Sequence, residues 1–411
     1  MQQKVVYAGT VARSFAEAAN LLTQLADLPV PLKQVERLTR RIGEERVTER
    51  DAAVAAFTAL PLVGKFVAPA DVTPPEVAVV MTDGGRMQIR ERTAPAETAV
   101  GDVPATDEEA PRSGHWREDK VGLLLTMQSV ESAVDPCPEI PPAFLDATRI
   151  PRLVRELKPV ARVDDDTAAD STEPEVAGAA LAEGPAYQPP TVAGRRVVAS
   201  RDEWPAFAEV VATAARAAGF QGAARKAFVA DGAANNWKVQ QRFFGSFVPI
   251  LDFIHALSYV FAAALAGRPF AVGWAVYRDW IRKVWQGEVA QVIAALEARQ
   301  EEWGEALGEE PTTSPRQIVA RALTYLRNHQ EKMGYPSYRR QGLPLTSSLM
   351  ESAVKQVNQR VKGTEKFWSE AGGEALLQLR ADHLSDGSPM AGFWQRRQAD
   401  ATGQRRYRRS A

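Results

Sequence analysis

The chain has a single cysteine, Cys137, in 411 residues. That excludes an internal disulfide and any paired-cysteine zinc site, so no zinc is expected. It suits a reducing compartment. The four histidines are scattered, and no HExxH pair occurs. Charge of one sign is also missing, because 50 Lys and Arg face 51 Asp and Glu for a net charge of −1. Overall charge therefore names no partner, although basic and acidic stretches are segregated. Long hydrophobic runs are absent too. The longest, residues 256–266, carries Ser258 and Tyr259 and is too short to span a bilayer. No signal-peptide pattern is recognisable, so a cytoplasmic protein with no membrane partner is expected. What remains is ordinary for a soluble globular chain: 45% hydrophobic and 25% charged residues, with length for two or three domains.

The stretch KAFVADGAANNW, residues 226–237, organises the rest. It reads as a short apolar strand ending on Asp231, then a glycine and the polar start of a helix. A carboxylate at the tip of a buried strand is held rigidly and opens to a cleft, where phosphate and metal chemistry uses an acid. Asp83 ends a second such strand, VAVVMTD, and Glu351 sits in the first turn of the helix SSLMESAVKQVNQRV.

Taken in order, residues 14–26 are an amphipathic helix, and residues 32–42 a second helix after a turn with Pro29 and Pro31. The outer face of the second helix carries Lys33, Arg37, Arg40 and Arg41. That pattern fits either a DNA-binding helix-turn-helix or a plain helical hairpin with a solvated basic face. Helix continues from 48 to 59. Residues 77–81 are a buried strand, Asp83-Gly84-Gly85 a turn, MQIRER a pairing strand, 94–114 a loop, and 121–127 a third strand of a meander. Residues 162–195 are acidic, and the core of this stretch has no Lys or Arg, so it is expected to be a disordered insertion. Ser200-x-x-Glu203 reads as a capping box before a helix that buries Trp204, Phe207 and Val211. The strand to Asp231 follows, then a strand over 247–251 with Asp252 and His255 beyond it. Residues 270–340 read as an all-helical insertion with four tryptophans, expected as core rather than base-stacking platforms. One of its helices is capped by Ser314 and begins at Pro315. Residues 386–411 read as a basic flexible tail.

This order predicts an α/β fold, an RNase H-like mixed sheet with flanking helices. An N-terminal helical hairpin spans 1–70. A catalytic core spans 71–269 and resumes over 341–385 after the helical insertion. Each acid also has a plainer reading: Asp83 as an Asp-Gly turn, Asp231 as a turn or cap residue, and Glu351 as the capping partner of Ser348. Their joint occurrence at strand and helix ends favours a shared cleft. Asp252-x-x-His255 is expected to orient those acids. Arg339 and Arg340, and Lys355 and Lys362 on the helix face of Glu351, are candidate contacts to a phosphate backbone.

The stretches SFAEAANLL, VERLTRRIG, VMTDGGRM, HWREDKVG, FVADGAANNW, ILDFIHALSYV and SLMESAVKQVNQRVKGTEKFW span residues 14–368. Together they resemble the DDE transposases of bacterial insertion sequences, and within them the ISKra-type family. The Asp-x-x-His feature is also seen in Mutator-like and hAT-like enzymes. The resemblance implies the triad Asp83, Asp231 and Glu351, two Mg²⁺ or Mn²⁺ ions, and DNA cleavage with strand transfer. It also implies DNA as partner, a homodimer or higher assembly on paired ends, and work at the bacterial nucleoid. Such proteins usually carry a cysteine-rich zinc-binding segment before the helical hairpin. This chain departs from the pattern, so a truncated remnant that only binds DNA, or an RNase H-like nuclease, are the competing expectations.

Overall fold

A computed structural model describes residues 1–90, 116–157, 188–306, 308, 310–363 and 366–403. Three helices come first: α1 (Gln2–Val11), α2 (Phe15–Ala26) and α3 (Leu32–Thr58), followed by the single turn α4 (Leu62–Lys65). Strands β1 (Val77–Ile89) and β2 (Trp116–Gln128), helix α5 (Arg149–Leu157) and strand β3 (Thr191–Ser200) lead to α6 (Trp204–Ala217). Then come β4 (Arg225–Ala230), α7 (Ala234–Phe243), β5 (Val248–Leu251) and α8 (Phe253–Leu265). Helices α9 (Phe270–Trp285), α10 (Val289–Trp303), α11 (Pro315–His329) and α12 (Tyr335–Arg340) intervene before α13 (Ser348–Val361). The chain closes with β6 (Phe367–Trp368), α14 (Glu370–Leu384) and α15 (Pro389–Gly403).

The six strands form one mixed sheet in the order β3-β2-β1-β4-β5, with β6 beside the end of β1. β1 to β3 are antiparallel, whereas β4 and β5 run parallel to β1. This is an α/β fold with helices on both faces, consistent with an RNase H-like architecture. The continuous apolar run Val77–Met81 explains why β1 is central: all five side chains are fully buried, as a strand covered on both faces requires. One face packs against Phe207 and Val211 of α6, which close on Gly122. The other carries Met87 and Ile89 against Gly373 of α14, and α13 lies along β1 and β2.

Several local expectations change. Asp83-Gly84-Gly85 is not a turn. β1 runs straight through it, pairing Asp83 with Val121, Gly84 with Lys120 and Gly85 with Asp119. The glycines serve space rather than reversal: a β-carbon on Gly84 would lie 2.8 Å from Glu118 Oε1, and one on Gly85 2.6 Å from Asp119 Oδ2. The third meander strand is β3, whose outer half lies within the stretch expected to be disordered. Its residues 191–196 are exposed or half-buried at the sheet edge, so they lack the apolar signal of an inner strand. Residues 162–187 of that stretch, and the 94–114 loop, lie outside the described residues.

The helix expected to stop near Ile42 continues to Thr58, a single helix of 27 residues from Leu32. Gly43 does not break it but sits at a close crossing, where an added β-carbon would lie 2.6 Å from the Ala375 carbonyl oxygen of α14. The same crossing is tied by Arg46 to Asp382 (2.9 Å) and Arg50 to Glu374 (2.5 Å). The N-terminal helices are therefore packed onto the core through α3. Ser14 and Ser314 cap their helices, accepting from the amides of Glu17 and Gln317. The Ser200–Glu203 box does not form, because the Ser200 hydroxyl accepts from the Asp202 amide instead.

The C-terminal stretch is not a free tail through Gly403. α15 buries Phe393, and Arg396 and Arg397 pair with Glu49 and Glu45 of α3. Arg405, Arg406, Arg408 and Arg409 lie outside the described residues. No helix among the described residues is long and apolar enough to cross a membrane.

Replacing Gly43 by Ala should force α3 from α14 and cost about 1–3 kcal/mol of stability, as overpacking does. Urea unfolding followed by circular dichroism reads the change.

Candidate functional site

The parallel register of β1, β4 and β5 aligns three acids, two just past the ends of β4 and β5 and one in the middle of β1. Met81 pairs with Val229, and Ala230 with Leu251. Asp83, Asp231 and Asp252 are thus level on consecutive strands about 4.8 Å apart. Asp83 and Asp231 are both half-buried. Asp231 does take a turn role, since its Oδ1 accepts from the Ala233 amide (3.0 Å) and from Asn236 Nδ2 (2.9 Å). Asn236 Oδ1 in turn accepts from the Thr82 hydroxyl (2.8 Å), so a polar chain links β1 to the Asp231 loop. Asp83 Oδ1 accepts from the Gly84 amide (2.7 Å).

Asp252 is fully buried and caps α8. Its Oδ1 accepts from the Ile254 amide (2.7 Å), while Oδ2 meets His255 Nδ1 (3.1 Å) and accepts from the amide (3.1 Å) and hydroxyl of Ser347. Burial alone would raise its pKa. The bond and charge of His255, with the Ser347 and Ile254 donors, outweigh that and hold it below the usual carboxylate range. Burial likewise works against a charged His255. The hydrogen bond and charge of Asp252, then the charges of Asp231 and Glu351, overcome it and carry the ring to about 9. His255 is therefore an imidazolium at neutral pH, with three acids around it.

Ser347 is the N-cap residue of α13, so Asp252 fixes where that helix starts. The Ser348–Glu351 capping box does not form, because no side chain caps α13. Glu351 faces the cleft instead: single ligand atoms of Asp252, His255 and Glu351 lie within 4.8 Å of one another. The structure thus brings Glu351, His255 and Asp252 together, with Asp231 close enough to act on His255 by charge.

Residues outside the expected set also hold the site. The Tyr325 hydroxyl of α11 donates to the Asp231 carbonyl oxygen (2.7 Å), and its ring stacks on Tyr259 at 3.8 Å. His329 lies against Gly232, where an added β-carbon would meet its Nε2 at 3.1 Å. Burial and the Lys332 charge push the His329 pKa down to about 4, so this second histidine is neutral. The helical insertion therefore buttresses the Asp231-Gly232 corner. Sequence spacing held no sign of this, because α11 is about 95 residues away in the chain.

Asp119 was also missed. It is fully buried in β2, and neither carboxylate oxygen has a hydrogen-bond partner. Burial, the dominant cause, raises its pKa to about 7; its own amide and the Lys120 and Lys362 charges offset this only in part. An acid inside a buried strand beside two glycines was the one available signal.

The candidate DNA contacts divide. Lys33, Arg37, Arg40 and Arg41 are exposed along α3, though Lys33 pairs with Glu36, Arg40 with Glu44 and Arg41 with Glu45. Arg340, Lys355 and Lys362 are exposed. Arg339 is not a contact. Its side chain is fully buried, paired with Asp135, donating to the Trp285 carbonyl (3.1 Å) and lying 4.1 Å from the centre of the Trp285 ring. A guanidinium follows Tyr338 into the core there because Asp135 supplies the counter-charge. Trp280 and Trp285 are buried, and Trp274 and Trp303 are half-buried against the core, as expected of packing residues.

Replacing Asp252 by Ala strands His255 and Ser347 and should cost about 3–5 kcal/mol. In the milder Asp252→Asn, the His255 ring should titrate at or below its ordinary 6.5 rather than near 9, followed by NMR. For Asp119, the folded pKa lies above the unfolded one. Stability from its protonated form is complete below about 3.8 and lost as pH rises through about 7. Asp119→Asn does not titrate. Without metal, its stability advantage over the parent should be about 2–3 kcal/mol larger at pH 8.5 than at pH 5 by urea melts.

No protein-family model matches the chain and no curated protein is significantly similar to it, so the geometry of its own residues is what characterises the site.

Proposed function

We propose that this chain is a metal-dependent DNA strand transferase of the DDE transposase class, with Asp83, Asp231 and Glu351 as its acids. The observation that carries the reading is the convergence of Asp231 and Glu351 on one half-buried imidazolium, with Asp83 level on the adjoining strand. Like charges gathered this closely need positive compensation. His255 supplies one such charge, and a divalent cation is the natural further one.

The donors suit such an ion. Asp83, Asp231 and Glu351 offer hard carboxylate oxygens to Mg²⁺ or Mn²⁺, which bind through a few carboxylates plus substrate phosphate. Asp252 is a poorer ligand despite its proximity, because both its oxygens already accept hydrogen bonds. Its work is to position His255 and the start of α13, and so Glu351. When bound, a pair of such ions would activate the attacking oxygen and neutralise the leaving one. The exposed Lys355 of α13 and Lys362 just past its end, with Arg340, are suited to hold the phosphate backbone across the site. The basic outer face of α3 is suited to a second stretch of duplex. Action at the nucleoid in the cytoplasm, as a homodimer or larger assembly on paired ends, belongs to the same proposal.

The test is Mg²⁺-dependent cleavage and joining on DNA that carries the ends flanking this gene. Asp231→Asn should lower both by at least about a hundredfold. Equal activity in the variant would remove Asp231 from the chemistry. Cleavage without joining would indicate a nuclease, and DNA binding without either activity would indicate a DNA-binding remnant.

A further inference from the structure

Asp119 lies outside the triad, yet its placement asks for a cation. Asp83 pairs with Val121 and Gly85 with Asp119, so Asp83 and Asp119 stand on one face of adjacent strands as diagonal neighbours. That spacing is roughly 7–8 Å between α-carbons, within reach of a shared ligand. Gly85 lies opposite Asp119, and its missing side chain leaves the room that the Asp119 carboxylate occupies. The two Asp119 oxygens lie 2.6 and 2.9 Å from where its β-carbon would be. The side chain is wholly buried, and neither oxygen has a hydrogen-bond partner. A buried carboxylate in that state is costly unless protonated or bound to a cation.

The neighbouring cations do not fill the role. The Lys120 ammonium pairs with Glu118 at 3.3 Å and lies 5.9 Å from the centre of the Trp204 ring. Lys362 is exposed and acts on Asp119 by charge without a hydrogen bond. Oxygen donors without hydrogen atoms to receive are what a hard divalent cation selects.

We propose that Asp119 is a cation ligand, holding with Asp83 a divalent ion of the Mg²⁺ or Mn²⁺ class. The assignment rests on the reading of Asp83 as a metal acid and adds a ligand to it. It gives the second glycine of Asp83-Gly84-Gly85 a purpose within β1: a side chain there would displace the Asp119 carboxylate.

The experiment is calorimetric titration of the metal-stripped full chain with Mn²⁺ at pH 8, comparing Asp119→Asn, Gly85→Ala, Asp83→Asn and Asp231→Asn. Asp119→Asn is isosteric and removes a buried charge, so its fold is secure, and a circular dichroism spectrum confirms it. The expected result is that Asp119→Asn, Gly85→Ala and Asp83→Asn each weaken one Mn²⁺ equivalent at least about tenfold, while Asp231→Asn retains it. Parental binding by Asp119→Asn overturns the proposal; loss of Mn²⁺ in Asp231→Asn would then leave the triad standing. Loss in Asp119→Asn with no effect of Asp231→Asn on any Mn²⁺ equivalent keeps the Asp119 site and sinks Asp231 as a ligand. A parent chain that binds no Mn²⁺ overturns both.

Discussion

One buried carboxylate, Asp252, ties the site to the fold. It ends β5, caps α8, holds His255 and fixes the first residue before α13. A carboxylate taken out of water is tolerable only when its lone pairs are met, and here they are. Because Ser347 is held, the register of α13 is held, and Glu351 is delivered to the cleft beside His255. Loosening this anchor would change three elements together.

The sheet supplies the second constraint. Parallel pairing puts strand ends at one edge, so acids that follow β4 and β5 align with one another and with the middle of β1. Local packing then refines the corner. Tyr325 and His329 from the helical insertion brace Asp231 and Gly232, and Asn236 links Asp231 to Thr82. The neutrality of His329 and the charge of His255 show how differently two histidines at one site behave. One faces Lys332, whereas the other faces Asp252, Asp231 and Glu351.

On the proposed reading, basic surface and acidic cleft divide the labour: exposed cations of α13 and α3 meet phosphate, and the carboxylates meet metal. Arg339 shows why sequence alone misassigns such cations. It has the same flanking pattern as a surface arginine, and only the fold places Asp135 and Trp285 around it.

Much of the fold was legible in the chain. The apolar β-branched run at 77–81, the strand into Asp231, the amphipathic helix at 14–26, the helix capped by Ser314 and the helical stretch from 270 onward all follow from local pattern, because period and capping are local properties. The mixed sheet with flanking helices followed from their order. Other features depend on partners distant in sequence. Asp83-Gly84-Gly85 looks like a turn until Glu118 and Asp119 occupy the space beside its glycines. Gly43 looks like a helix end until Ala375 crosses it. β3 has too little apolar alternation to declare itself without β2 beside it. The same holds for the site. The sequence by itself determined that Asp231 and Asp252 follow strands, since a strand's end is written in its own residues, whereas Asp83, which reads the same way, lies in the middle of β1. Only the tertiary structure decided that Glu351 meets His255, that Arg339 is buried and that Asp119 is left without a partner, because those are facts about neighbours.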